Sequence, residues 1–134
     1  ARQTLTSEIK RFTPMYTPGF AAPEQYKGRE NLGPWTDIYS VGASIFACMA
    51  GFAPQAADAR LEDDRLVSAK KLWGGKYSNE LLEIVDWCLQ MNYLDRPQSV
   101  HSLQKALSPK VPEIPPKASM LDNLKKSLAR IRMR

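Results

Sequence analysis

Apolar positions recur at helical spacing along most of this chain, and nowhere alternate with polar ones long enough to mark a strand. The clearest stretch is PWTDIYSVGASIFACMAG, residues 34–51. Ile38, Val41, Ile45 and Met49 follow i, i+3, i+4 spacing, while Tyr39, Phe46 and Cys48 make the remaining faces apolar too. A helix that is apolar nearly all round belongs at the centre of a domain. Pro34 and Gly51 mark its ends, and Thr36 is the expected N-cap. Asp37 then sits in the first turn, where the helix dipole favours an acid.

Further helices are expected on both sides. Residues 59–73 read as one moderately amphipathic helix, broken by GGKYS. Ser78 caps the next, which turns Leu81, Leu82, Val85, Cys88 and Leu89 inward. A last core helix follows NYLDRPQS, with Val100, Leu103 and Leu107 inward. Upstream, Pro18–Gly19 is a turn dipeptide, and Ala22–Pro23–Glu24 suits the first turn of a short helix. Residues 1–16 are polar and without period, as in a surface loop. The pattern predicts an all-α fold of about five helices. Four prolines in SPKVPEIPPKAS make residues 108–119 an extended linker. Residues 120–134 read as a basic amphipathic helix or tail, with Leu121, Leu124, Leu128 and Ile131 on one stripe.

With 134 residues, 43% of them hydrophobic and 25% charged, the chain can bury a core, as one small domain or as part of a larger one. No apolar run is long enough to span a membrane, and the opening residues lack the apolar stretch of a secretion signal. Cys48 and Cys88 lie in apolar helical patterns and read as free core thiols. His101 sits among polar residues near a helix start, and no recognised spacing assembles a metal site. Residues 1–109 carry 12 basic and 12 acidic residues, whereas 110–134 carry 7 and 2, so the net charge of +5 belongs to the tail. Nucleic-acid binding by the folded part is therefore not expected. The tail suits an anionic membrane surface, a further domain, or packing on its own protein.

Three blocks in fixed order are more specific: TPGFAAPE, then DIYSVG, then DRPQSV. In this order and on these elements they resemble the C-terminal lobe of a eukaryotic-type serine/threonine protein kinase, in a style common among bacteria. The resemblance covers residues 1 to about 107. It implies an activation-loop segment over residues 1–20 and a helical C-lobe subdomain over 21–107. Glu24 resembles the acid of the A-P-E landmark, which pairs with a buried arginine, here Arg96. Asp37 matches the central-helix aspartate that accepts hydrogen bonds from the catalytic loop, and Gly42 would allow close backbone approach. Thr17, Pro18, Gly19 and Phe20 resemble the pocket for the residue after the phosphoacceptor. Tyrosine kinases usually place proline at the position of Thr17, so serine/threonine substrates are implied. The family commonly has glycine where this chain has Tyr16. Thr4, Thr6, Ser7 and Thr13 fall where activation loops are phosphorylated and then ordered by arginine pairing.

Phosphoryl transfer in that family uses a Gly-rich loop, a strand lysine, a catalytic Asp and Asn, and a metal-binding Asp. The sequence holds no H-R-D-x-x-x-x-N, no D-F-G and no β-rich nucleotide lobe. Its opening Ala1–Arg2–Gln3 is similar to the residues just after D-F-G. The chain is therefore expected to be a kinase fragment without catalytic residues, metal ligands or cofactor of its own. ATP and Mg2+ belong to the intact parent, which would phosphorylate Ser/Thr of protein substrates. The alternative is a kinase-derived, non-catalytic helical interaction module. Expected partners are those substrates and the missing N-terminal kinase half, without which bare apolar surface favours self-association. The expected location is cytoplasmic, with membrane association only through regions beyond the C-terminus.

Overall fold

The computed structural model describes residues 16–110 and 117–132, with side chains in the last helix from Leu121 onward. Among them lie seven α-helices: α1 (Pro23–Tyr26), α2 (Pro34–Ala50), α3 (Ala57–Glu62), α4 (Ala69–Trp73), α5 (Asn79–Cys88), α6 (Val100–Leu107) and α7 (Lys117–Arg132). Short 3-10 turns at Arg29–Asn31 and Tyr93–Asp95 complete the set. The described residues form no strand; Gly74 and Tyr77 share a single bridge.

The central helix α2 starts where its proline puts it, with Pro34 at the first helical position. Its cap is Gly33 rather than Thr36. Thr36 lies one turn inside, where its hydroxyl accepts from the Gly33 N–H at 3.2 Å. Gly51 ends the helix at φ 81°, and its N–H returns to the Ala47 carbonyl at 2.8 Å.

The expected helix over 59–73 is two helices, and long-range contacts explain the break. Arg60 turns inward and donates to the Tyr39 hydroxyl (3.1 Å) and the Leu89 carbonyl (2.8 Å). Asp64 follows it round, accepting from Arg60 Nε at 2.9 Å and from the Leu66 N–H at 3.2 Å. Gln55 then ties the Asp63 carbonyl and the Arg65 N–H, both at 2.9 Å, holding residues 63–68 out of the helix. Ser68 restarts it as α4, accepting from the Lys71 N–H at 3.2 Å.

The core lies where α2 crosses α5. Tyr39, Ala43 and Phe46 meet Leu82, Val85 and Leu89, with Ala22, Ala57 and Ala69 filling the rim. Ile38, Ile84, Cys88 and Leu103 form a smaller cluster toward α6. Each large side chain fully buried here contributes about 1.5–3 kcal/mol. Gly42 is where the two helices close: a β-carbon there would stand 2.5 Å from the Cys88 Cβ.

Several expected core positions lie elsewhere. In α6 only Leu103 is buried, while Val100 and Leu107 are 55% and 43% exposed. A helix of eight residues lying on the rim buries one turn-spaced contact and leaves its ends outside. Leu81 is half-buried, and Ile84 takes the deeper place. Cys88 is buried, and burial pushes its thiol up to about 11; Cys48 is exposed. Nor is α2 covered all round, since Asp37, Val41, Ser44 and Cys48 form one exposed line. His101 is exposed, and none of the described helices is long and apolar enough to cross a membrane. The helix α7 begins at Lys117 and so takes in the last residues of the expected linker; residues 111–116 lie outside the described part.

Candidate functional site

The segment Thr17–Glu24 is irregular because a tight turn leads directly into a helix start. The N–H groups of Phe20 and Ala21 both return to the Thr17 carbonyl, at 3.1 and 3.3 Å. Gly19 holds φ 90°, the left-handed region that favours glycine, and a β-carbon there would lie 2.8 Å from Ala53 Cβ. The turn is thus pressed against the loop that follows α2. Ser40 fixes it from the other side, donating to the Phe20 carbonyl at 2.8 Å. Thr17 and Pro18 stay exposed, Gly19 is buried, and Phe20 packs half-buried against the core. The result is a short rigid ledge with a hydroxyl and a proline ring facing solvent.

Glu24, at the second position of α1, anchors the ledge. Its two carboxylate oxygens accept from Arg96 Nη1 at 2.7 Å and Nη2 at 2.9 Å, in the forked geometry of a strong Arg–carboxylate pair. The Thr36 hydroxyl donates to the same carboxylate at 2.8 Å. Burial alone pushes the Glu24 carboxyl up, but the bonds from Arg96 and Thr36 and the Arg96 charge outweigh it and hold it below the usual value. Such a carboxylate stays ionised at neutral pH, with its oxygens committed to Arg96 and Thr36.

Arg96 is 1% exposed and satisfied at every donor. Beyond Glu24, its Nε donates to the Gln90 carbonyl (2.7 Å), Nη1 to that of Trp35 (3.0 Å) and Nη2 to that of Met91 (3.2 Å). All five N–H groups of the guanidinium are therefore used. The Tyr39 ring lies under it at 4.9 Å, a cation–π contact in the core. One arginine thus joins the ledge, the start of α2 and the loop after α5.

Asp37 stands apart from this lock. It is exposed in the first turn of α2, and no hydrogen bond among the described residues involves its side chain. Gly42 lies at the contact of α2 with α5, against Cys88 and Leu89. Thr4, Thr6, Ser7 and Thr13 lie outside the described residues. Sequence reasoning overlooked Thr36 as a partner of Glu24, Ser40 as the brace of the turn, and Arg60 as a buried tie. Only Arg60 carried a local sign, an aspartate four residues on.

No family model matches the chain. It is 36% identical over 64 residues to maternal embryonic leucine zipper kinase of Danio rerio, which covers 47% of this chain and 9% of that protein. Serine/threonine-protein kinase STE20 of Candida glabrata is 31% identical over 130 residues, or 94% of this chain and 14% of that protein. The chain is a relative of serine/threonine protein kinases. In fold it matches a solved chain, PpkA-294 in its apo form, with a TM-score of 0.63 and 33% identity, over 78% of this chain and 35% of that one. The fold is that of a helical kinase C-lobe, and it spans only a small part of the length of its curated relatives.

Proposed function

We propose that this chain supplies the substrate-docking ledge and the activation-loop anchor of a serine/threonine protein kinase. The observation that carries the reading is the lock of Glu24 between Arg96 and Thr36, which fixes an otherwise irregular segment to the helical core. In this reading Thr17, Pro18, Gly19 and Phe20 form the wall that meets the substrate residue after the phosphoacceptor. The exposed hydroxyl of Thr17 and the buried Gly19 that sets the turn support it. Residues 1–20 are then the activation loop and Thr4, Thr6, Ser7 and Thr13 its candidate phosphosites.

The exposed line Asp37, Val41, Ser44 and Cys48 on α2 is the face for the N-terminal half of the kinase, with Asp37 receiving hydrogen bonds from its catalytic loop. Left bare, the same face is the surface for self-association. The residues present do not fit ATP or Mg2+: the sequence lacks the phosphate-binding and metal-binding motifs, and no described cluster of His, Cys, Asp and Glu could hold a metal. Phosphoryl transfer to protein Ser/Thr is therefore assigned to the intact parent, and this chain alone is inactive.

The coding sequence preceding Ala1 tests this, followed by assay of the longer product on serine, threonine and tyrosine peptides. A strand lysine, H-R-D and D-F-G upstream, with transfer to serine or threonine, are the expected results. Absence of those motifs would favour the non-catalytic module instead. Micromolar binding of Mg-ATP by the 134-residue chain, measured by calorimetry, would overturn the proposal.

A further inference from the structure

The helix α7 carries an apolar stripe that none of the described residues covers. Leu121, Leu124, Leu128 and Ile131 are 59%, 57%, 57% and 71% exposed. A lone helix of 16 residues is marginal in water and draws its stability from packing an apolar face. The stripe runs through two heptads, fewer than a self-sufficient coiled coil needs. The helix also carries Lys117, Lys125, Lys126, Arg130 and Arg132 against one acid, Asp122, so two copies would meet with like charge. Its partner should be apolar and acidic.

Such a surface lies where the chain leaves α6. An open groove of about 330 Å³ runs between α5 and α6, with Leu81, Ile84 and Leu107 on its floor and Pro109 and Lys110 at its exit. Trp87 extends it along α5, and Glu80 and Glu83 stand on its rim. Glu80 has no ion-pair partner among the described residues, while Glu83 shares an exposed pair with Lys70 at 2.8 Å. A second apolar surface, around Phe52, Leu66 and Val67, has no acid in its lining to meet a basic helix.

We propose that α7 folds back and lays its stripe along the α5–α6 groove of its own chain, with its basic residues facing Glu80 and Glu83. Lys125 and Arg132 each follow a stripe residue by four positions, which sets them beside the stripe on the helix surface. Residues 108–116 join α6 to α7, close to the connection lengths that return one helix antiparallel to another. The nine-residue tether makes this docking intramolecular and so independent of protein concentration, ahead of a second copy in dilute solution.

Hydrogen exchange by mass spectrometry on the 134-residue chain tests this. Amides of residues 121–131 should exchange at least about tenfold slower than coil, equally over a roughly thirtyfold range of protein concentration. Leu124→Asp with Leu128→Asp, both on exposed positions, should abolish that protection and speed exchange in residues 84–87, with α2 unchanged. Glu80→Lys should weaken protection by about threefold, and Lys125→Glu in the same chain should restore it. Coil-rate exchange in 121–131 while α2 and α5 stay protected would overturn the proposal. So would protection that rises with concentration, which assigns the groove to a second copy. Protection that appears only with phosphatidylcholine–phosphatidylserine vesicles would assign the stripe to a membrane and overturn it equally.

Discussion

Replacing Glu24 by alanine isolates the central electrostatic feature of the molecule. Arg96 would keep its three backbone carbonyls but lose the charge that neutralises it, at a site 1% exposed. Breaking a buried pair from one side costs about 3–5 kcal/mol, because the stranded charge cannot recover its hydration. A domain of this size is stable by about 5–15 kcal/mol, so the variant should keep only a fraction of its stability. At about 4–8 °C per kcal/mol, the melt should fall by roughly 12–40 °C. Urea unfolding followed by tryptophan fluorescence reads the loss. The double variant Glu24→Leu with Arg96→Met should be less unstable than the sum of the single variants, because it strands no charge. It should still stay below the parent, because the carbonyls of Gln90, Trp35 and Met91 lose their donor. Glu83→Ala is the control, since its pair with Lys70 is more than half exposed at both ends and should matter by less than about 1 kcal/mol. A loss below about 1 kcal/mol in Glu24→Ala would refute the reasoning. So would a double variant as unstable as the sum of the single ones.

Three more outcomes follow from the same packing. Gly42→Ala should destabilise by about 1–3 kcal/mol, because its β-carbon meets Cys88 at 2.5 Å and α2 must move off α5; an unchanged urea midpoint would contradict this. In the native chain a thiol reagent at neutral pH should modify Cys48 and spare Cys88, whose thiol is buried and raised to about 11, with both reacting in denaturant. Rapid native labelling of both would show that α5 opens readily. Finally, Glu24 titrates below its ordinary 4.5 in the folded chain, so its contribution is full above that value and is lost as pH falls through the lowered one. A Glu24→Gln chain should show a shallower loss of stability below about pH 4.5 than the parent, and identical acid profiles would remove Glu24 as the cause.

What could be read from the sequence depended on how far away each residue's partner lay. The ends of α2 were legible because proline and glycine act through their own backbone. The Ser78 cap was legible for the same reason, its hydroxyl reaching the Leu81 N–H at 3.3 Å. The split between α3 and α4 was not, because it hangs on Arg60 reaching Tyr39 and Leu89, 21 and 29 residues away. Thr36 misled for a related reason. A threonine near a helix start usually caps it, but this one also serves a carboxylate twelve residues upstream. The pairing of Glu24 with Arg96 came from the likeness of short blocks to a known family, since no periodicity links residues 72 apart. Exposure of Val100, Leu107 and Cys48 was hidden because apolar spacing marks a face without saying what lies against it.

That separation of 72 residues has a consequence for the chain as it is made. Synthesis at about 5–20 residues per second puts roughly 4–14 s between the appearance of Glu24 and that of Arg96. Through that interval the carboxylate has no guanidinium, and the ledge lacks the ion pair that locks it to the core. Closing so long a loop also costs entropy that only the finished core repays. A chain halted before Arg96 therefore carries the ledge without its charge lock, held only by the Ser40 bond and the close packing of Gly19.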